Sequence, residues 1–190
     1  MYTTIEPATL KVLDNVGGHA LPEGRSGEVE GRPQSLWVGA LDGDASPDAV
    51  VASLDGLTVF TRGLGHSQHI EVGEALVEVQ AGDLDGDGRA EIVAADRDAG
   101  ALWVVRSQEA GFAAPQPIAT GPAPEYLELY DLDGDGSLDA LTHGKLRTGE
   151  VHEDRVMHAA TYHAGGGAGG SPIGGGATCQ LTKPMATAAT

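Results

Sequence analysis

The sequence is poor in cysteine, aromatic residues and positive charge, and each shortage excludes a class of protein. Its 190 residues include one cysteine, Cys179, so no disulfide can form within the chain. Aromatic residues make up 4% of the chain while glycine occurs 29 times, a composition that favours a turn-rich β protein over a helical bundle. Lysine and arginine number 11 against 28 acidic residues, and the net charge of −17 argues against nucleic-acid partners and anionic membrane surfaces.

Long apolar runs are absent as well. No stretch approaches the roughly 18 consecutive apolar residues that a membrane-spanning helix needs, so we expect no membrane insertion. Residues 1–16 contain neither a basic region nor an apolar segment, so no secretory signal is visible. The length suits one domain with a core of its own.

Three acidic segments share one pattern and form an internal repeat. They span residues 40–48, 83–91 and 131–139. Asp42, Asp85 and Asp133 occupy the same position in it, so the repeats are 43 and 48 residues apart. Each unit offers about four short apolar segments without helical periodicity, and four strands in about 45 residues are typical of a propeller blade. The sequence therefore predicts an all-β fold, a partial β-propeller of about three to three and a half four-stranded blades.

The short apolar segments give the predicted strands. In the first unit they span residues 36–38, 49–52, 57–61 and 70–72. In the second unit they span residues 76–79, 92–95, 101–105 and 117–120, and in the third 126–129 and 140–142. Residues 1–31 resemble the outer half of a preceding blade. The Gly-rich residues 164–190 carry too little apolar surface to fold alone, so we expect a partial propeller over residues 1–163 and a disordered tail.

A partial propeller would leave the sheets at its two ends without a neighbour. We expect missing contacts at Trp37, Val38, Val50 and Val51 at one end, and at Leu127, Leu129 and Leu141 at the other. Such faces indicate either a fragment of a longer propeller or self-association of two chains. Trp37 and Trp103 are expected to pack between blades, with a ligand platform as the alternative.

Carboxylates occupy alternate positions of the second segment. Asp83, Asp85, Asp87 and Glu91 stand at positions 1, 3, 5 and 9, with Gly88 at position 6. Hard cations such as Ca²⁺ take six to eight oxygen ligands, and alternate residues of a tight loop can converge on one point. Glycine at position 6 permits the positive φ that folds the chain back. The pattern predicts a calcium loop; the alternative interpretation is a set of acidic turns exposed to solvent.

An EF-hand is the obvious competitor, and position 12 decides against it. That site needs an acidic ligand at position 12, where this chain has Ala94 in the second segment and Thr142 in the third. An apolar strand follows each segment, where an EF-hand would begin a helix. The expected element is therefore strand–loop–strand.

The pattern Asp-x-Asp-x-Asp-Gly-x-x-Asp/Glu followed by an apolar strand resembles the FG-GAP/VCBS repeat family, the Ca²⁺-loop blades of integrin α-chain-like propellers. Residues 111–122, leading to 131–136, are similar to the general pattern of that family. The resemblance covers about residues 5–145 and implies a β-propeller with calcium loops on one face. It implies one site at Asp83, Asp85, Asp87, the Arg89 carbonyl and Glu91. It implies another at Asp131, Asp133, Asp135, the Ser137 carbonyl and Asp139.

The first segment departs from this pattern. Ala40 removes the first ligand, Ala45 replaces the turn glycine and Pro47 stiffens the end of the loop. A non-glycine residue held at positive φ costs about 1 kcal/mol. The acids that remain are Asp42, Asp44 and Asp48. We therefore expect two strong calcium sites and a first site that is weak or empty.

The other polar residues give weaker signals. His66 and His69 are expected in a polar turn, and the histidines show no zinc-site spacing. Cys179 has no basic or histidine neighbour, which argues against a reactive nucleophile. No acid/base pair stands out beyond the acidic loops, so we expect no enzymatic activity.

The leading functional interpretation is a calcium-binding, non-catalytic interaction module, extracellular or on the cell surface, with a protein or carbohydrate ligand. The location is inferred from the calcium loops, because such loops would be filled at extracellular calcium levels. An accessory part of a secreted polysaccharide lyase or phospholipase carrying the same repeats is the alternative. A structural spacer in a larger surface protein is a third possibility.

Overall fold

The structure is a computed structural model that describes residues 8–146 except 18, 19, 21, 45, 133 and 135, together with residues 154–160 and 178–179. An N-terminal pair consists of β1 (Ala8–Leu13) and β2 (Glu23–Val29). The first sheet consists of β3 (Pro33–Gly39), β4 (Asp48–Ser53), β5 (Gly56–Thr61) and β6 (His66–Ile70). The second sheet consists of β7 (Leu76–Gly82), β8 (Glu91–Asp96), β9 (Ala101–Val105) and, after a hairpin of β10 (Ser107–Gln108) and β11 (Gly111–Phe112), β12 (Gln116–Ala119). The third sheet consists of β13 (Pro124–Tyr130), β14 (Asp139–Leu146), β15 (Asp154–Ala160) and β16 (Thr178–Cys179).

Each four-stranded sheet is an antiparallel meander, and in the second sheet the β10–β11 hairpin is inserted between β9 and its partner β12. Val50 pairs with Val59 in the first sheet, and Ile92 pairs with Val105 in the second. The regular elements of the described residues are all strands, which confirms the all-β prediction. Within the same residues no helix has the length and apolar character needed to cross a bilayer.

The second strand of each of the first two sheets is buried on both faces. All six residues of β4 and all six of β8 are buried. Val50 packs into the cluster between the first and second sheets, whereas its neighbour Val51 packs against Val29 of the N-terminal pair. Ile92 and Val93 divide in the same way between the first and third sheets. This double burial explains why these strands are continuous apolar runs instead of alternating ones.

The N-terminal pair and the three four-stranded sheets are therefore stacked face to face in chain order. The first strands of the sheets lie side by side, because β3 packs against β7 and β7 packs against β13. Leu36 and Val38 on β3, and Tyr126 and Tyr130 on β13, remain exposed at the two ends of the stack.

The expectation of a missing neighbour at the ends of the stack is wrong for three residues. Val50, Val51 and Leu127 are buried, although a missing neighbour was expected at each. The N-terminal pair covers the Val51 face of the first sheet, and Leu127 points toward the second sheet. Val38, by contrast, is 60% exposed, as expected.

The fourth strand of the first sheet also differs from its prediction. It spans His66–Ile70 instead of residues 70–72, so His66 and His69 lie on a strand and not in a turn. This outermost strand is held by backbone pairing with β5, as between Thr58 and His69, and its exposed side chains need not be apolar. Most of the expected disordered tail lies outside the described residues; Thr178 and Cys179 within it pair with β15.

Asp96 is a buried anion that fixes the end of β8. Its side chain is fully buried, and it accepts four hydrogen bonds. The donors are the backbone N–H groups of Glu74 (2.9 Å), Ala99 (3.0 Å) and Asp98 (3.1 Å) and the Trp103 indole N–H (3.2 Å). Burial raises the pKa of Asp96, but these hydrogen bonds outweigh it and the pKa lies below its usual value. One carboxylate therefore holds the β6–β7 connection, the β8–β9 turn and Trp103 together.

We expect Asp96→Asn to destabilise the protein by about 2 kcal/mol or more at pH 7, because an amide leaves buried N–H donors without an acceptor. A lowered folded-state pKa stabilises the protein above the unfolded pKa of about 3.9, and this contribution disappears as the pH falls through the folded-state value. The difference in unfolding free energy between wild type and Asp96→Asn, measured by urea unfolding, should therefore be smaller at pH 3 than at pH 7. Asp98→Asn, at an exposed acid of the same turn, is the matched control. Equal unfolding midpoints for Asp96→Asn and wild type at pH 7 would contradict this role.

Candidate metal centre

The three acidic segments form equivalent loops. Each joins the first strand of a sheet to its second strand: the first loop (residues 40–48) joins β3 to β4, the second loop (83–91) joins β7 to β8, and the third loop (131–139) joins β13 to β14. The strand–loop–strand prediction is confirmed.

Every loop is closed by the same hydrogen bond, from the backbone N–H at position 2 to the carboxylate at position 9. The pairs are Leu41 and Asp48 (2.9 Å), Leu84 and Glu91 (2.8 Å), and Leu132 and Asp139 (3.0 Å). The three acids are between 1% and 4% exposed, and each is the first residue of the second strand. The position-9 acid is thus fixed to the sheet, whereas the aspartates at positions 3 and 5 of the first and second loops are exposed.

The position-1 aspartate organises the second and third loops. Asp83 accepts backbone hydrogen bonds from Gly86 (2.7 Å) and Gly88 (2.9 Å). Asp131 makes the corresponding bonds with Gly134 (2.7 Å) and Gly136 (3.0 Å). In the first loop this position is Ala40, which has no side-chain acceptor.

A glycine with positive φ also occupies position 4 of every loop, although the sequence pattern predicted this role only for position 6. Gly43, Gly86 and Gly134 have φ values of 76°, 76° and 79°. That conformation is disfavoured for other residues, so the Asp-Gly-Asp triplet shared by all three loops was the available signal.

The second loop brings three carboxylates together. Asp83, Asp85 and Glu91 each place an oxygen within 4.8 Å of the others. Two oxygens bound to the same Ca²⁺ at about 2.4 Å can be at most about 4.8 Å apart. The donor set therefore fits a divalent cation that prefers oxygen ligands. No other group of three potential ligands among the described residues meets this distance.

The charge balance of this cluster also fits a cation. Burial of the carboxylate, with the nearby charges of Asp85, Asp87 and Asp83 adding to it, raises the pKa of Glu91 to about 7. Burial likewise raises the pKa of Asp48 in the first loop, where Asp42 and Asp44 contribute. Grouped carboxylates without a counter-charge repel one another, and a bound cation would remove that repulsion.

The other predicted ligands of the second and third loops are not part of this three-carboxylate group. Asp87 is not part of the three-carboxylate group, and its side chain accepts the backbone N–H of Arg89 (2.8 Å). The predictions for Asp133 and Asp135 fall outside the described residues, and so does Ala45. Of the third-loop residues, Asp131 and Asp139 have the hydrogen bonds given above, and Ser137 is half-buried.

The acids of the first loop accept hydrogen bonds from backbone N–H groups of the protein. Asp42 accepts the N–H of Asp44 (3.0 Å), and Asp44 accepts that of Ser46 (2.6 Å). Asp48 uses both carboxylate oxygens, because its second oxygen accepts the N–H of Arg62 (3.2 Å). The first two contacts recur in the second loop, where Asp85 accepts the N–H of Asp87 (3.3 Å) and Asp87 accepts that of Arg89. The contact between Arg62 and Asp48 is therefore the one that distinguishes the first loop.

Comparison with known proteins gives one family match. Residues 83–142 match the family model described as an FG-GAP-like repeat, a range that begins at the first residue of the second loop and ends in β14. No match was found among curated proteins. The matched range contains both loops in which position 1 is aspartate, together with the six strands β8 to β13. This chain therefore carries an FG-GAP-like repeat, as its acidic pattern predicted.

Proposed function

We propose that this protein is a calcium-stabilised, non-catalytic interaction module built as part of a β-propeller and acting outside the cell or at its surface. The observation that carries the proposal is the convergence of Asp83, Asp85 and Glu91 in a loop of an FG-GAP-like repeat. The calcium is structural, and the partner is a protein or a carbohydrate.

The arrangement of the sheets supports the propeller. Three four-stranded antiparallel meanders follow one another, and each begins with a strand that lies beside the first strand of the next. Radial repetition of such sheets is the propeller architecture, in which the first strands line the axis. The N-terminal pair occupies the place of the outer half of a preceding blade.

In the proposed second site, Asp83, Asp85 and Glu91 hold the ion, with Asp87 and the Arg89 carbonyl as the further ligands that the sequence pattern assigns. Bound calcium supplies positive charge to a group of carboxylates that otherwise repel. Glu91 is fixed at the start of β8, so the ion links the surface loop to a fully buried strand. The third loop provides a second site with the same position-1 hydrogen bonds, and the first loop is weak or empty.

The proposed extracellular or cell-surface location follows from the calcium affinity expected of such loops. Calcium loops of extracellular modules work at dissociation constants of about 10⁻⁴–10⁻³ M, a range that extracellular calcium fills. Two of the four carboxylates of the second loop, Asp85 and Asp87, are exposed, which is consistent with that range.

Calorimetric titration of calcium into the chelator-treated protein should give two strong sites. Asp85→Asn should remove one of them, because it deletes an oxygen charge from the convergent group. Asp55→Asn, at an exposed aspartate of the β4–β5 turn, should leave both unchanged, and Asp42→Asn should have little effect. Three equal sites, or two unaffected sites in Asp85→Asn, would contradict the assignment.

Calcium should raise the free energy of unfolding. Binding to the native state alone adds RT ln(1 + [Ca²⁺]/Kd), about 2.7 kcal/mol at a hundredfold excess over Kd. Thermal unfolding in calcium and in chelator measures this difference, and magnesium at the same ionic strength controls for charge screening. Identical melting temperatures in calcium and chelator would exclude the structural role.

A further inference from the structure

A groove of about 500 Å³ lies between the first and second sheets at the end that carries the acidic loops. One wall is the β5–β6 turn together with β6, and the opposite wall is the β10–β11 hairpin. Leu41, Val59 and Phe112 contribute its apolar part, and Leu41 and Val59 belong to the core cluster against which Phe112 packs. Its volume is in the range of ordinary small-ligand sites.

The hairpin wall exists because the second sheet has a longer connection than the first. Residues 62–65 suffice to join β5 to β6, whereas residues 106–115 join β9 to β12 and include the hairpin. The hairpin reaches over the first sheet, since a Cβ placed on Gly111 would lie 3.7 Å from Gln68 Oε1. The Ser107 hydroxyl donates to the Ala90 carbonyl, and the Ala90 N–H donates to the Leu41 carbonyl (3.2 Å). These two hydrogen bonds connect the hairpin to the second loop and the second loop to the first.

The β5–β6 turn, on the other side of the groove from the hairpin, contains residues with a left-handed backbone conformation. Three non-glycine residues of the described chain have φ in the left-handed region, and two of them, Arg62 (54°) and Leu64 (69°), lie in the β5–β6 turn. Such conformations concentrate at ligand sites, and of these two residues Arg62 lines the groove. Arg62 is held there by the hydrogen bond from its N–H to Asp48 (3.2 Å).

Polar side chains of both signs line the groove, among them Asp42, Asp44, Arg62, Gln68, Arg89 and Gln108. An anionic ligand would lie against the aspartates, and a cationic ligand would lie against the arginines. An apolar ligand would strip water from both without replacing their hydrogen bonds. Hydroxyl groups carry no charge and both donate and accept, so they can pair with carboxylates, guanidinium groups and amides alike.

We propose that this groove binds a neutral saccharide, whose hydroxyls pair with the mixed polar walls and whose C–H surface packs on Phe112. The proposal names the ligand class and the ligand site of the interaction module proposed above, and it rests on that function. It also assigns a role to the side chains of Arg62 and Arg89, which the calcium loops do not use.

The test is an NMR titration of the ¹⁵N-labelled full chain in calcium with cellotetraose, mannotetraose and tetra-N-acetylchitotetraose as separate probes. At least one of them should produce saturable shifts at the amides of residues 62–68 and 107–112. Arg62→Ala and Gln108→Ala should each weaken that binding at least fivefold. Arg97→Ala and Gln116→Ala change the same residue types at exposed positions outside the groove and should have no effect.

The proposal is overturned if none of the three neutral probes shifts the groove amides, or if the groove variants bind as wild type does. It is also overturned if tetragalacturonate or tetralysine binds the groove more tightly than every neutral probe. Calcium titration of the same sample distinguishes failure of the saccharide groove from failure of the calcium loops. Shifts of the second-loop amides with calcium but none with saccharide would reject the groove and keep the proposed function, whereas no shift with calcium would reject the proposed function itself.

Discussion

The loop-closing hydrogen bond between positions 2 and 9 is the constraint on which the rest of the structure depends. It buries a carboxylate at the first residue of β4, β8 and β14, next to apolar residues that would otherwise exclude charge. That carboxylate fixes where each loop ends and each second strand begins. In the second loop it also holds Glu91 within reach of Asp83 and Asp85.

The same repeat explains how a chain with few aromatic residues builds a core. Small aliphatic side chains of one strand divide between two neighbouring sheets, as Ile92 and Val93 do, so each sheet serves as the core of the next. At the end of β8 opposite the loop, the Asp96 carboxylate accepts four hydrogen bonds, one of them from the Trp103 indole N–H. Each unit is thus anchored by hydrogen-bonded carboxylates as well as by apolar packing, which suits an acidic, turn-rich sequence.

Sequence reasoning succeeded where a pattern has a single structural meaning. The run around Ile92–Ala95 predicted β8 because a short apolar run between turn residues, repeated in each unit, is typical of a strand buried on both faces. The acidic spacing predicted the loops. It failed at β6, since His66 and His69 form an outer strand defined by backbone pairing and not by side-chain type. It missed Asp96, because an acid at the end of a strand looks the same in sequence whether it is exposed or accepts four hydrogen bonds. The β10–β11 hairpin was missed because its strands are two residues long.

The central claim is that the second loop holds a divalent cation, and a crystal structure of the protein grown in calcium tests it most directly. The account predicts an anomalous-scattering peak contacted by oxygens of Asp83, Asp85 and Glu91 at about 2.3–2.6 Å. A water molecule or an Arg or Lys side chain occupying that position, at calcium concentrations above 10 mM, would contradict it.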